Sequence, residues 1–292
     1  VHASLLTWLT RLLWLSLPIT LGDLFADALD DRSTPVRVVV VVMAWSVWAA
    51  GLLASLVAAP WALLVMRLTM PVAVVAGVIA ATSTAPGPLG WIGLAAAVVA
   101  SVAALSAEVG HECINGAAYG DETRFPLRPP AVLLVGPIGV VWALTALPLP
   151  AGALALAARQ WLLGAALVAV GVPAAWWGVR VLGRLARRWC VFVPAGVTLV
   201  DDMALAEPTL MRSGDIIGLG PAPVDTDALD LSAAAAGLIL QIDLNGEGDF
   251  LPAVRRGGVT EAVGARSVLI APSRPGALVR HATQRGIGVE RV

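Results

Sequence analysis

Long apolar runs constrain this chain more than any other feature. A helix that crosses a bilayer needs about 20 mostly apolar residues, and the first 182 residues hold several such runs. The clean ones predict spans at 36–57, 61–81, 91–107, 131–147 and 159–182. Arg67 and Pro71 sit inside the second of these, and Pro173 sits inside the last. A further run at 5–21 is interrupted by Arg11 and Pro18. It reads as a sixth span, with a signal sequence or an interfacial helix as alternatives, because Asp23 and Asp27 follow closely. Residues 151–158 are apolar and fit an extension of the last helix or a dip into the interface.

Composition agrees with a membrane chain. Of 292 residues, 58% are hydrophobic and 13% charged, where a soluble domain carries roughly 25% charged residues. The net charge of −1 excludes a large basic surface for nucleic acid. All 19 basic residues are Arg, and Val1 fits a GTG start codon read literally; together they point to a bacterial gene of high GC content. The lipid bilayer is the first expected partner.

The pattern changes near Gly183. All 11 Trp lie at or before Trp189, while 11 of the 19 Arg and 12 of the 20 acids lie in 183–292. Two domains follow: a transmembrane helical bundle at 1–182 and a small β-rich domain at 183–292. Short alternating stretches predict strands at 189–193, 197–200, 209–212, 215–219, 237–244 and 265–270. Asn245-Gly246 reads as a hairpin turn with 250–254 as the returning partner. Residues 276–285 read as an amphipathic helix with Leu278, Val279 and Ala282 on one side, and His281 is expected at the surface.

Arg placement sets the orientation. Arg180, Arg184, Arg187 and Arg188 cluster at the end of the last span and put the tail in the cytoplasm. Six spans then place Arg11, Arg67, Arg124 and Arg128 inward as well, against Arg32, Arg37 and Arg159 outward. The Arg180–Arg188 cluster is topogenic and is also suited to anionic lipid heads. Two cysteines, Cys113 and Cys190, fall on the cytoplasmic side, so no disulfide is expected.

The most informative polar stretch is the loop from Glu108 to Pro130. Ionisable residues at a membrane boundary need partners. Antiparallel third and fourth helices bring Arg67 toward Glu108, His111 and Glu112, with Arg11 able to join the layer. Two readings stand. One is a polar site for a headgroup, an ion or a proton; the other is an ion-paired cluster that orients the helices.

Catalytic signatures are missing. His111, Glu112 and Cys113 are adjacent in sequence and cannot easily face one tetrahedral ion, and Asn115 stands where an HExxH zinc motif needs its second His. Asp243, Asn245, Glu247, Gly248 and Asp249 echo a calcium loop, but Val254 occupies the position of its final Glu. There is no G-x-S-x-G, no G-x-G-x-x-G after a strand, and no Lys for a Walker motif. No metal, cofactor or catalytic residue is expected.

The stretches "RRWCVFVPAGVTLVDD", "LMRSGDIIGLGP" and "VLIAPSRPGALVRHATQRGI" resemble the bacterial pleckstrin-homology-like domains found on membrane proteins. The chain with "GHECINGAAYGDETRFPLRPP" resembles multi-pass membrane proteins of high-GC actinobacteria. The resemblance implies a partly open barrel capped by a helix, used for binding or assembly, in the bacterial plasma membrane. The tail lacks the basic pocket of phosphoinositide-binding members. The expectation is a non-enzymatic scaffold or regulator whose cytoplasmic domain binds a protein or a second copy. The alternative is a carrier or membrane enzyme handling a lipid or small solute at the polar layer.

Overall fold

A computed structural model describes residues 3–253 and 261–289. The chain divides into two compact units, one of Val1–Ala117 with Gly139–Leu182, the other of Ala118–Ile138 with Gly183–Val292.

The first unit is helical. Its long helices are α1 (Leu5–Leu29), α2 (Thr34–Leu56), α3 (Pro60–Ser83) and α4 (Pro88–Leu105), followed by the short α5 (Ala107–Asn115). Within the second unit's inserted segment lie β1 (Thr123–Pro126) and α6 (Ala131–Leu134). The helices α7 (Pro137–Ala146), α8 (Pro148–Ala157) and α9 (Trp161–Ala186) come next. Helices α2, α3 and α4 each carry Pro in the first turn, where its missing N–H leaves no bond unmade. Among the described residues, six helices are long and apolar enough to cross a membrane, with α7 and α8 counted as one.

Two span predictions need correction. The first helix runs to Leu29 and takes in Asp23 and Asp27. Its stripe of Thr7, Thr10, Trp14, Leu17, Leu21 and Leu24 is buried against α2, α3 and α4, so it packs as a member of the bundle. The fifth span covers Pro137–Ala157 rather than 131–147. Pro148 bends it without ending it, because Leu147 keeps right-handed helical angles. Residues 151–158 therefore belong largely to the fifth span and not the sixth.

Small residues let these helices approach closely, as expected where lipid supplies no hydrophobic drive between them. Helix α4 buries Gly90, Gly93, Ala97, Ala100 and Ala104, and a methyl on Gly93 would meet Leu21 Cδ2 at 2.7 Å. Gly164, Gly171 and Gly178 recur every seven residues on α9 and lie against Leu156, Leu149 and Thr145. Trp142 Nε1 reaches back to donate to the Leu68 carbonyl at 3.2 Å.

The α1–α2 contact contains a polar exchange. Pro18 has no N–H, so the carbonyl of Trp14 four residues earlier loses its helical donor. In a membrane that oxygen needs another partner, and Trp48 Nε1 donates to it at 3.0 Å. Trp14 Nε1 in turn donates to the Trp48 carbonyl at 2.8 Å, and Gly51 makes room for the Trp14 ring. Trp48→Phe should destabilise the unit by roughly 0.6–1.7 kcal/mol, the range of such bonds in membranes. Pro18→Ala restores the N–H and should shrink that loss. A double-mutant cycle on thermal unfolding in mild detergent measures the coupling; additive effects would show that the bond contributes nothing.

Among the described residues, the second unit holds two four-stranded sheets and no closed barrel. The first is an antiparallel meander of β1, β2 (Arg188–Val193), β3 (Gly196–Asp201) and β4 (Thr209–Arg212). The second contains β5 (Ile216–Pro221), β6 (Leu229–Asp230), β7 (Leu240–Phe250) and β8 (Val263–Ile270), in the order β5-β7-β8-β6. Strand β6 pairs in parallel with β8, and an isolated parallel bridge joins Leu219 of β5 to Val289. Helix α10 (Pro275–Gln284) follows, and one core joins both sheets and the helix through Phe125, Phe192, Leu219, Ile242, Phe250 and Leu278.

Strand β1 comes from the loop between α5 and α7. It pairs with β2 in register Thr123↔Phe192 to Pro126↔Trp189. On its other side, Ser273 N–H donates to the Pro126 carbonyl at 2.8 Å and Arg128 N–H to the Ala271 carbonyl at 2.7 Å. The predicted β-rich domain thus gains residues 118–138, and the helical hairpin α7–α9 is an insertion between two neighbouring strands.

The Asn245-Gly246 hairpin is absent. Strand β7 continues through it to Phe250 and pairs with β8 on both sides of an irregularity between Asp243 and Gly248. A type I′ turn needs positive φ at both central residues, and neither Asn245 nor Gly246 has it. Asn245 N–H instead donates to the Asp215 carbonyl at 2.7 Å, which keeps the chain extended. Phe250 lies on the same strand as the expected turn, and Val254 lies outside the described residues. The acidic calcium-like run is likewise extended strand.

His281 is half-buried rather than a free surface residue. Its ring sits 5.0 Å from Phe192 and 5.6 Å from Phe125, with Nε2 buried and unbonded. Burial, reinforced by Arg285, holds its pKa below the ordinary 6.5. Above that value both folded and unfolded chains are neutral here. Below it the unfolded chain takes up the proton first, so stability should fall as pH drops from 6.5 toward the lowered folded value. Glu122, held low by its hydrogen bond to Arg124, keeps its stabilising effect across this window and loses it only as pH falls below its ordinary 4.5. The denaturant midpoint of this unit should therefore fall between pH 7.5 and 5.5, and His281→Phe should flatten that fall. An equal fall in the variant would assign it elsewhere.

Candidate functional site at one end of the helical unit

Helix α4 stops at Leu105 because the chain turns at Ser106. The Ser106 hydroxyl then accepts from Val109 N–H and starts α5. With Glu108 in its first turn, α5 carries a negative charge near its positive dipole end. Gly110 allows Arg67 Nη2 to lie 3.1 Å from where a Cβ would stand. Gly116, just past the helix, rests on Ala58 in the α2–α3 turn.

Around α5 the charged side chains each serve a helix end. Glu112 accepts from Ser4 N–H at 2.9 Å and from the Thr7 hydroxyl at 2.6 Å, so a carboxylate faces the positive end of α1. Arg11 Nε donates to the Ser55 carbonyl at 2.9 Å, at the negative end of α2. Arg67 Nε donates to the Ala104 carbonyl at 3.1 Å, at the negative end of α4. Helix dipoles alternate in an up-and-down bundle, and the charges alternate with them. Cys113 is buried among these groups; burial raises its thiol pKa, Arg67 and Arg11 draw it down, and Glu112 raises it.

The expected Arg67–Glu108 meeting is not an ion pair among the described residues. The turn at Ser106 makes Glu108 the head of α5 instead of the tail of α4. His111 Nδ1 lies 3.3 Å from Asn115 Nδ2, which also donates to the His111 carbonyl at 2.9 Å. The partners missed by sequence reasoning are Ser4 and Thr7. Their spacing, a helix-capping Ser followed three residues later by Thr, was the available signal.

The basic cluster splits. Arg180 is exposed and stacks over Trp176 at 3.8 Å. Arg184 is exposed, and exposed Arg187 pairs with Asp202 at 3.5 Å. Arg188 is only 1% exposed and offers no face to a headgroup. Its Nε and Nη2 donate to the two Asp201 oxygens at 2.8 and 2.7 Å, and Nη1 donates to the Arg128 carbonyl at 2.8 Å. Asp201 also accepts from Met203 and Ala204 N–H. Cys190, wholly buried beside this pair on β2, is pushed up to about 12 by burial and is inert as a thiolate at neutral pH.

These features define a class: a multi-pass membrane protein with, among the described residues, six apolar helices and a β-rich domain that includes a helix after its last strand. Comparison with protein-family models, curated proteins and solved structures found no match.

Proposed function

We propose that this protein is a non-enzymatic scaffold or regulator of envelope assembly in a bacterial plasma membrane, presenting its β-rich domain in the cytoplasm for a protein partner or a second copy. The observation that carries the reading is the commitment of Glu112, Arg11 and Arg67 to helix ends. A polar layer built this way fixes helices and leaves little for handling a solute. Chain connectivity adds support: the backbone passes between the two units three times, at 117/118, 138/139 and 182/183. Such a domain is held to its membrane unit more firmly than a tail on one linker.

The cytoplasmic assignment rests on the inward excess of Arg. Parity adds only that residues 118–138 and 183–292, which share a domain with two spans between them, lie on one side of the bilayer. The order of a four-stranded meander, a second sheet and a C-terminal helix supports a pleckstrin-homology-like reading, with its first strand supplied by the loop.

The test is capture by cross-linking in mild detergent, comparing the full chain with one truncated after Ala186. A partner or self-association lost on truncation is the expected result. Identical recoveries from both chains, together with a defect in solute or lipid handling on Glu112→Gln in normally folded protein, would replace this reading by a carrier or lipid-acting enzyme.

A further inference from the structure

The second unit exposes an apolar surface whose position relative to the bilayer follows from chain connectivity. In α6 and the residue after it, Val132, Leu134 and Val135 are exposed, Val135 at 89%. Exposed apolar side chains grouped in this way ordinarily mark a contact surface. Two residues after Val135 comes Pro137, the first residue of a span. A residue advances the chain by at most about 3.6 Å, so Val135 stands within roughly 7 Å of a helix that enters hydrocarbon. The occupant that connectivity places there is lipid.

A second segment, remote in sequence, is bonded to the first. Ala131 N–H donates to the Ala234 carbonyl at 3.3 Å, and Arg128 Nη1 donates to the Ala236 carbonyl at 2.8 Å. Gly237, with φ of +105°, gives the Arg128 guanidinium the place a Cβ would fill. Ala233 and Ala234 both adopt left-handed angles, so this loop follows a defined course rather than a regular turn. Leu238 follows, 50% exposed. Arg128 between the two segments suits the level of lipid phosphates, with its stem in the apolar zone.

We infer that residues 131–135 and the loop 233–238 form one bilayer-seated surface, with Leu238 inserted at the headgroup–acyl boundary and Arg128 at the headgroups. The domain is thereby docked on the membrane by its own surface as well as by its chain crossings. This inference is independent of any protein partner.

The experiment places an environment-sensitive fluorophore on Leu238→Cys in the full chain, in nanodiscs of mixed zwitterionic and anionic lipid. The native thiols are buried, and unsubstituted protein serves as the labelling blank. Asn245→Cys, exposed beside Glu247 and Asp249, is the water-facing reference. Interfacial side chains sit about 5–10 Å into the headgroup–acyl boundary, so lipids brominated on the acyl chain should quench position 238 at least about twofold more than position 245. Equal quenching at both positions would overturn the inference. Ala236→Cys provides a second probe on the same loop if Leu238→Cys does not fold, and it is read by the same criterion.

Discussion

Residues 183–292 expressed alone are expected not to fold cooperatively, whereas 118–138 joined through a short flexible linker to 183–292 should give a folded domain without the membrane hairpin. The tail alone lacks β1 and with it Phe125 and Leu127, both in the core. Burying such side chains contributes roughly 1.5–3 kcal/mol each. It also lacks the Arg128 carbonyl that receives Arg188 Nη1, and a buried donor left unpaired costs about 1–3 kcal/mol. Together these approach the whole stability of a small domain, about 5–15 kcal/mol. The linker joins Ile138 to Gly183, twelve residues past Pro126 and six before Trp189, which are direct cross-strand partners. A sharp thermal transition and dispersed amide spectrum for the joined chain, against a broad melt with dye-binding apolar surface for the tail, is the expected contrast. A cooperative melt for the tail alone would mean that β1 is dispensable.

The second large effect concerns Arg188 and Asp201. Breaking a buried, bidentate pair leaves a charge with no partner and costs about 3–5 kcal/mol. Arg188→Met should therefore unfold the joined domain or nearly so. Asp201→Ala should be at least as severe, because Met203 and Ala204 N–H lose their acceptor too. Asp201→Asn keeps an oxygen for those donors and should be milder than Asp201→Ala. Arg188→Met with Asp201→Leu should recover part of the loss, since replacing both charges leaves neither one stranded. Denaturant midpoints decide the order. A double variant no better than the singles would show that the backbone contacts of Asp201, rather than the ion pair, dominate.

Much of the architecture was legible because its signals are local. Runs such as 36–57 and 61–81 state their spans by length and apolarity, and α2 and α3 lie within a few residues of those limits. Strand β4 matches its alternating stretch, 209–212. What was not legible depends on pairing between distant segments. Thr123–Pro126 lies in a polar, proline-rich loop without strand alternation, and β2 and the segment 271–273 after β8 make it a strand. Asn245-Gly246 has the composition of a turn, but pairing with β8 and the Asp215 carbonyl overrides that preference. Arg188 looks topogenic beside Arg184 and Arg187, and only the fold brings Asp201 to it. At the polar layer Glu112, Arg11 and Arg67 bond mostly to backbone atoms at helix ends, where only the capping Ser4 carries a sequence signal.

The insertion of α7–α9 between β1 and β2 also bears on biosynthesis. Strand β1 leaves the ribosome well before its neighbour, and at about 5–20 residues per second the intervening stretch takes on the order of 3–12 s. During that interval β1 has no partner. The sheet can close only when both membrane helices have been threaded so that Pro126 and Trp189 emerge on the same side. A hairpin inserted with one crossing too few strands the two halves of the domain across the bilayer. Completion of the β domain therefore requires both crossings, and a chain with one crossing too few is left with an unfinished sheet.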